Sequence, residues 1–276
     1  MRLQAFRVLP TVGWGRFFSS SAGERIKVSF AKCPVSSRPK PFENSSCIMP
    51  ISVGQNLKHH EGEEFIATMK LVDRSFSSCT LVVDDSVQHY GMMIWSREPK
   101  NALYFQAILE GDRWLSQNKN AYESLSIPYK ILRWNDWVAH PSYSSQRALI
   151  DELYESNASY RQAVNFTINE YIQRRSRHAV NPIDQALATY CCLKYLLEEC
   201  AVMSLWALEG YDFEVYPTGR NAAMKAAYDA LVKSSYPGKL LSVSLEFRSR
   251  RSASQEQQMS SDPRDIASLG VQPCLK

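Results

Sequence analysis

What this chain lacks narrows it first. None of its seven cysteines forms a Cys-x-x-Cys pair, and Cys33, Cys47, Cys79, Cys191, Cys192, Cys200 and Cys274 sit mostly in apolar runs. An odd, unspaced set of this kind reads as reduced core thiols and excludes a disulfide framework or a cysteine zinc site. No apolar run approaches the 18 residues or so that a membrane span needs, so no membrane is expected as a partner. Internal repeats and Gly-rich phosphate loops are missing too. Charge of neither sign dominates: the net charge is +4, which permits a nucleic-acid partner without demanding one.

What remains is ordinary globular composition, 276 residues with 45% hydrophobic and 22% charged, enough for one large α/β domain or two small ones. Residues 1–45 read as a basic leader and linker. The first 23 carry Arg2, Arg7 and Arg16, no acid, and a Ser-rich stretch. That is the composition of a mitochondrial transit peptide, with a matrix location implied, or else of a plain basic leader; otherwise the location is cytoplasmic. Residues 46–248 read as the folded domain. After Arg248 the Ser-, Gln- and Arg-rich tail, 249–276, reads as disordered.

The domain is organised around residues 46–84. An apolar run ends at Ser52, a helical pattern covers 61–72, and Cys79–Asp84 forms a second apolar run. Strand, helix, strand is the simplest parse, and a crossover of this length joins parallel neighbours. Ligands of open parallel sheets lie beyond the carboxyl ends of the strands, so Ser52 stands at the mouth of a pocket. Further helices are expected over 99–125, 145–177, 183–206 and 218–236, with strands at 128–134, 212–217 and 240–247. The helix from 183 starts with Asn181 as cap, Pro182 in the first position and Asp184 in the first turn.

One acid stands out in that helix. Lys194 and Glu198 share a face and can pair in solvent. Glu199 instead follows Ala188, Cys192 and Tyr195 on an apolar stripe. A carboxylate there is costly unless something satisfies it, so it marks a site or else a boundary residue. Tyr195, one turn earlier, can join Glu199 in receiving a cationic amine. Ser52 as nucleophile has no Gly-x-Ser-x-Gly elbow, because Pro50 occupies the first glycine position, and none of the five histidines declares itself as its base.

Three patterns in this order resemble the tRNA-dependent cyclodipeptide synthases: Ile51-Ser52-Val53-Gly54, Tyr195-Leu196-Leu197-Glu198-Glu199, and Val215-Tyr216-Pro217. The positions that divide that family hold Gln55, Tyr216 and Pro217, similar to the subgroup with a variable residue, Tyr and Pro. The resemblance implies an α/β fold, a Rossmann-like parallel sheet flanked by helices, similar to the catalytic domain of class I aminoacyl-tRNA synthetases. It implies two aminoacyl-tRNAs as substrates, no cofactor and no metal, with a monomer expected. Ser52 would carry the aminoacyl and then the dipeptidyl group, and Tyr195 and Glu199 would hold the amino group. Tyr216 would orient Ser52, and Gly54, Gln55 and Pro217 would line the substrate site.

The chain departs from many relatives at Pro50, where they carry glycine, and in the helix near 100–125. That helix is strongly basic in many of them and serves the first tRNA. Here it offers Arg113 and Lys119 amid acids, so tRNA contacts are shared with Arg174, Arg175 and Arg177. The aminoacyl pocket is expected to be walled by Met49, Cys79–Val83, Tyr195 and Val202, and to favour an apolar or aromatic group. Two other classes remain open, a non-catalytic synthetase-like module that binds tRNA and a serine acyl-hydrolase.

Overall fold

Strand β2 (Ser46–Ser52) buries every residue between its ends, as does β3 (Ser78–Asp84) up to Asp84 itself. That continuous burial is what a central strand of a sheet covered on both faces requires. The computed structural model describes residues 25–32, 42–54, 58–177 and 183–250. The leader, Gln55, Asn181, Pro182 and the tail beyond 250 lie outside the described residues.

Helix α1 (Gly62–Asp73) joins β2 to β3, which pair in parallel with Ser52 opposite Asp84. The chain then runs through α2 (His89–Met93), α3 (Lys100–Gln117) and α4 (Lys119–Tyr122) into β4 (Tyr129–Arg133). Helices α5 (Trp134–Val138), α6 (Tyr143–Ser156), α7 (Ala158–Ser176) and α8 (Gln185–Leu208) follow, then β5 (Phe213–Tyr216). Short helices α9 (Ala222–Ala227) and α10 (Lys233–Ser235), with a π turn over Tyr228–Val232 between them, lead into β6 (Leu241–Arg250).

With β1 (Arg25–Lys32) the six strands lie in the order β1-β6-β5-β2-β3-β4, and every neighbouring pair from β6 to β4 is parallel. The expected α/β sheet is present. It has one more strand than the sequence reading gave, because 24–45 read as a linker. The alternation Ile26, Val28, Phe30 carries the period of a half-buried strand, and Ile26–Arg248 forms one compact unit.

Polar residues also break two helices that read as continuous. Asn118 separates α3 from α4, and Asn157 caps α7 by accepting from the Tyr160 amide at 2.9 Å. The expected start of α8 shifts: Asp184 is the cap itself, accepting from the Leu187 amide at 3.0 Å.

Strand alternation sorts the two cores. Cys47, Met49, Ile51, Leu81, Val83, Phe213 and Val215 pack on the side of α1, with Phe65 and Trp114. Ile48 and Val82 point the other way, into the layer of α8 with Ala201, Met203 and Trp206. By the same alternation Ser52, Asp84, Glu214 and Tyr216 all face α8. The chain leaves β2 toward β3 and β4 on one side and returns through β5 and β6 on the other, so the β2–β5 seam is the switch point where such sheets open a crevice. Pro50 has no amide hydrogen to give, and the β2–β5 pairing reaches only Ile48.

Candidate active site

Ser52 closes β2 and Tyr216 closes β5, so the two stand across that seam. Ser52 Oγ and Tyr216 Oη lie 3.2 Å apart. Gly54, two residues on, turns the chain at φ 129°, a conformation a side chain rarely tolerates. Helix α8 brings the other half of the site. Its residues Tyr195 and Glu199 line the same cavity as Ser52, Val53 and Gly54.

That cavity holds about 1440 Å³ and runs between α2, α3, α7 and α8. Its apolar wall includes Met92, Met93, Leu103, Leu187 and Leu196. The wall foreseen from the sequence is therefore corrected. Met49, Cys79, Leu81 and Val83 belong to the core on the far side of the sheet, Val82 is buried beneath α8 and Val202 is buried on α8 itself, so of that set only Tyr195 reaches the cavity.

The floor is acidic and poorly solvated. Burial, and after it the charge of Glu214, pushes the Glu199 carboxyl up to about 8, with an Asn221 hydrogen bond pulling the other way. Oε2 of Glu199 and Oδ1 of Asp84 are buried with no partner among the described residues. Burial, then Glu199, raises the Asp84 carboxyl well above the carboxylate range. Glu214 instead pairs with Arg220 at 2.5 Å, both side chains buried, and the guanidinium lies 4.2 Å from the centre of the Tyr228 ring. Burial raises the Tyr216 phenol to about 12, against a Ser52 hydrogen bond that lowers it, so the hydroxyl keeps its proton at neutral pH. Tyr195 is raised as well, first by burial and then by Glu199, and accepts from Gln88 Nε2 at 3.2 Å.

Two supporting residues were not foreseen. His60 donates from Nδ1 to the Ser52 carbonyl at 3.2 Å and sets its ring edge-on to Tyr216, centroids 5.5 Å apart. Burial lowers its pKa to about 4, so it is a neutral brace for the backbone of Ser52. Its signal was faint, since it lies in a short 3-10 turn over Lys58–His60 with no periodicity to read. Gln88 sits in a similar turn ahead of α2. The foreseen Lys194–Glu198 pair is absent among the described residues. Glu198 accepts from Trp134 Nε1 at 2.7 Å, and the Lys194 ammonium lies 5.8 Å from the centre of the Tyr190 ring.

The basic residues divide. Arg174 and Arg175 line the cavity and have no carboxylate partner among the described residues. Arg177 lies apart, on a smaller hollow of about 380 Å³ between α7 and α8. Arg113 is tied to Glu110 at 2.7 Å and Glu61 at 4.0 Å, Lys119 to Glu123 at 3.6 Å, and neither reaches the cavity. Pro217 is buried behind Tyr216 and also stays out of the cavity; its carbonyl accepts from the Leu245 amide at 3.3 Å.

The arrangement can orient a serine, receive a cation and move a proton. Among the described residues no group of histidine, cysteine or acidic side chains is placed to hold a metal, and no helix is long and apolar enough to cross a membrane. Neither a protein-family model nor a curated protein matches the sequence. Solved structures do. A CDPS (cyclodipeptide synthase) from Fluoribacter dumoffii is 42% identical, covering 83% of this chain and 100% of its own at a TM-score of 0.78. A cyclodipeptide synthase from Candidatus Glomeribacter gigasporarum, bound to Phe-tRNAPhe, is 19% identical over 76% of this chain and 90% of its own, TM-score 0.62. A Mycobacterium tuberculosis protein, whose structure demonstrates that cyclodipeptide synthetases are related to type I tRNA synthetases, is 10% identical over 83% and 96%, TM-score 0.58.

Proposed function

The chain belongs to the cyclodipeptide synthases, tRNA-dependent enzymes that form cyclic dipeptides, and we propose that it does so through successive esters on Ser52. The observation that carries this reading is the 3.2 Å approach of Ser52 Oγ and Tyr216 Oη on a cavity shared with Tyr195 and Glu199. Ser52 Oγ attacks the carbonyl carbon of the first aminoacyl-tRNA. The bond from that carbon to the ribose oxygen breaks, and the serine proton ends on the ribose oxygen. One oxygen ester replaces another, so the exchange is roughly thermoneutral and one hard condensation becomes two acyl transfers.

Tyr216 keeps its proton and therefore orients Ser52 instead of acting as its base. His60 holds the backbone beneath it. The ammonium of the bound group meets Glu199 and the Tyr195 hydroxyl. Burial raises the Glu199 carboxyl to about 8 in the empty site; the arriving ammonium favours its ionised form, and a carboxylate that basic is matched to taking a proton back from the ammonium, which frees the amine as a nucleophile. The amine attacks the carbonyl carbon of the second aminoacyl-tRNA, the bond from that carbon to the ribose oxygen breaks, and the amine's proton ends on that oxygen, leaving a dipeptidyl ester on Ser52. The new terminal amine then attacks the Ser52 ester carbonyl, releases the serine hydroxyl, and closes the diketopiperazine. Tyr216-Pro217 matches the subgroup with Tyr and Pro at those places.

Mass spectrometry of medium from cells expressing the protein tests the reading. A new diketopiperazine is expected with the wild type and none with Ser52→Ala. A diketopiperazine still made by the soluble Ser52→Ala protein would remove Ser52 from the chemistry.

A further inference from the structure

The cavity is larger than one aminoacyl group fills, since sites for whole small ligands run from about 300 to 1,000 Å³, against about 1440 Å³ here. Its outer lip carries an aromatic side chain that the catalytic steps leave unused. Trp95 lines the cavity and is 47% exposed. Its place is fixed: successive turns hold the segment after α2, with Trp95 N donating to Met92 O at 3.1 Å and Ser96 N to the same oxygen at 3.0 Å.

Charge surrounds it asymmetrically. Arg97 lies two residues on, and Arg174 and Arg175 stand on α7 along the same cavity. None of the three has a carboxylate partner among the described residues, and Arg175 rests over Tyr171, 5.5 Å from the ring centre. The acids on the same walls are engaged or deep. Glu110 is held by Arg113, Asp184 caps α8, and Glu199 lies at the floor. An exposed aromatic face beside unpaired guanidinium groups is how single-stranded nucleic acid is held, bases stacking on the ring and phosphates meeting the charges.

Resting on the aminoacyl-tRNA reading above, we infer that Trp95 is the stacking platform for a base of the single-stranded 3′ end that delivers the aminoacyl ester to Ser52. Arg97, Arg174 and Arg175 contact the phosphates of that end. The lip thereby takes over part of the role that a basic α3 would have. In this chain α3 instead exposes Phe105 and Leu109, 67% and 65% open, and has its Arg113 tied to Glu110.

The test compares two uncharged RNA minihelices, one ending in a single-stranded ACCA and one blunt, by fluorescence anisotropy with the full chain. Wild type should prefer the overhang by about ten-fold. Trp95→Ala should lose that preference, Trp95→Phe should keep most of it, and Arg97→Ala should weaken binding and flatten its salt dependence. At saturating charged tRNA, Trp95→Ala should still load Ser52, which separates loss of the platform from loss of the chemistry. A Trp95→Ala protein that keeps its preference for the overhang would overturn the proposal. So would an effect confined to charged RNA, which would put Trp95 against the amino acid. Either result leaves the Ser52 reading standing, whereas a wild type that never loads Ser52 would defeat that reading and not this one.

Discussion

Replacing Glu199 with glutamine should make the protein more stable, and by an amount that depends on pH. Glutamine keeps the shape and carries no charge at any pH. In the wild type the carboxyl moves from its ordinary 4.5 to about 8 on folding, chiefly through burial. Because the folded value is the higher one, the stability tied to the protonated acid is fully present below the unfolded pKa. It drains away as pH rises toward about 8. A gap of that size integrates to roughly 5 kcal/mol for a group with no solvent at all. The cavity beside Glu199 opens to solvent and screens part of the charge, so the expected difference is about 2–3 kcal/mol. Urea denaturation of both proteins, followed by circular dichroism, reads it directly. The two should match near about pH 4 and diverge through neutrality, the glutamine variant ahead by the full amount near about pH 8.5. Parallel curves across that window would refute the claim that burial holds this carboxyl neutral.

Two further substitutions probe separate layers. A methyl at Gly111 would sit 2.6 Å from Asp85 Oδ2 and 2.7 Å from Arg133 Nη2, prying α3 off the brace in which Arg133 bonds Asp85 and Asp112 at 2.5 Å each. Overpacking costs about 1–3 kcal/mol and the gain in helix propensity returns about 1, so Gly111→Ala should lose up to about 2 kcal/mol in chemical denaturation; a gain in stability would show that the brace yields freely. Tyr216→Phe should slow loading of Ser52 in a single turnover by about ten- to hundred-fold while changing stability by only about 1 kcal/mol. Loading at the wild-type rate would show that the phenol does not orient the serine.

The central fold was legible because its signals are local. The runs ending at Ser52 and Asp84 are buried strands and announce themselves as apolar stretches, and the helix between them repeats at helical spacing. Glu199 could be picked out because a carboxylate among Ala188, Cys192 and Tyr195 breaks a stripe that pattern alone defines. The rest depends on what meets across the fold. His60 and Gln88 sit in single turns, where no periodicity marks them, and gain meaning only when β2 and α8 arrive beside them. Spacing alone makes Glu198 a solvent partner for Lys194, whereas α5 places Trp134 against it. The cavity wall was misjudged for the same reason: β3 is apolar along its whole length, but its odd residues face α1 and its even ones are capped by α8. Arg113 and Lys119 read as tRNA contacts by their place in the chain, yet Glu110, Glu61 and Glu123 already hold them.

The most direct measurement is the intact mass of the purified protein after brief incubation with charged tRNA, with the modified peptide then mapped. The account predicts a gain of one aminoacyl residue, located on Ser52, labile to mild base and absent from Ser52→Ala. A protein that makes the cyclic dipeptide with no adduct at that position under rapid quenching would contradict it.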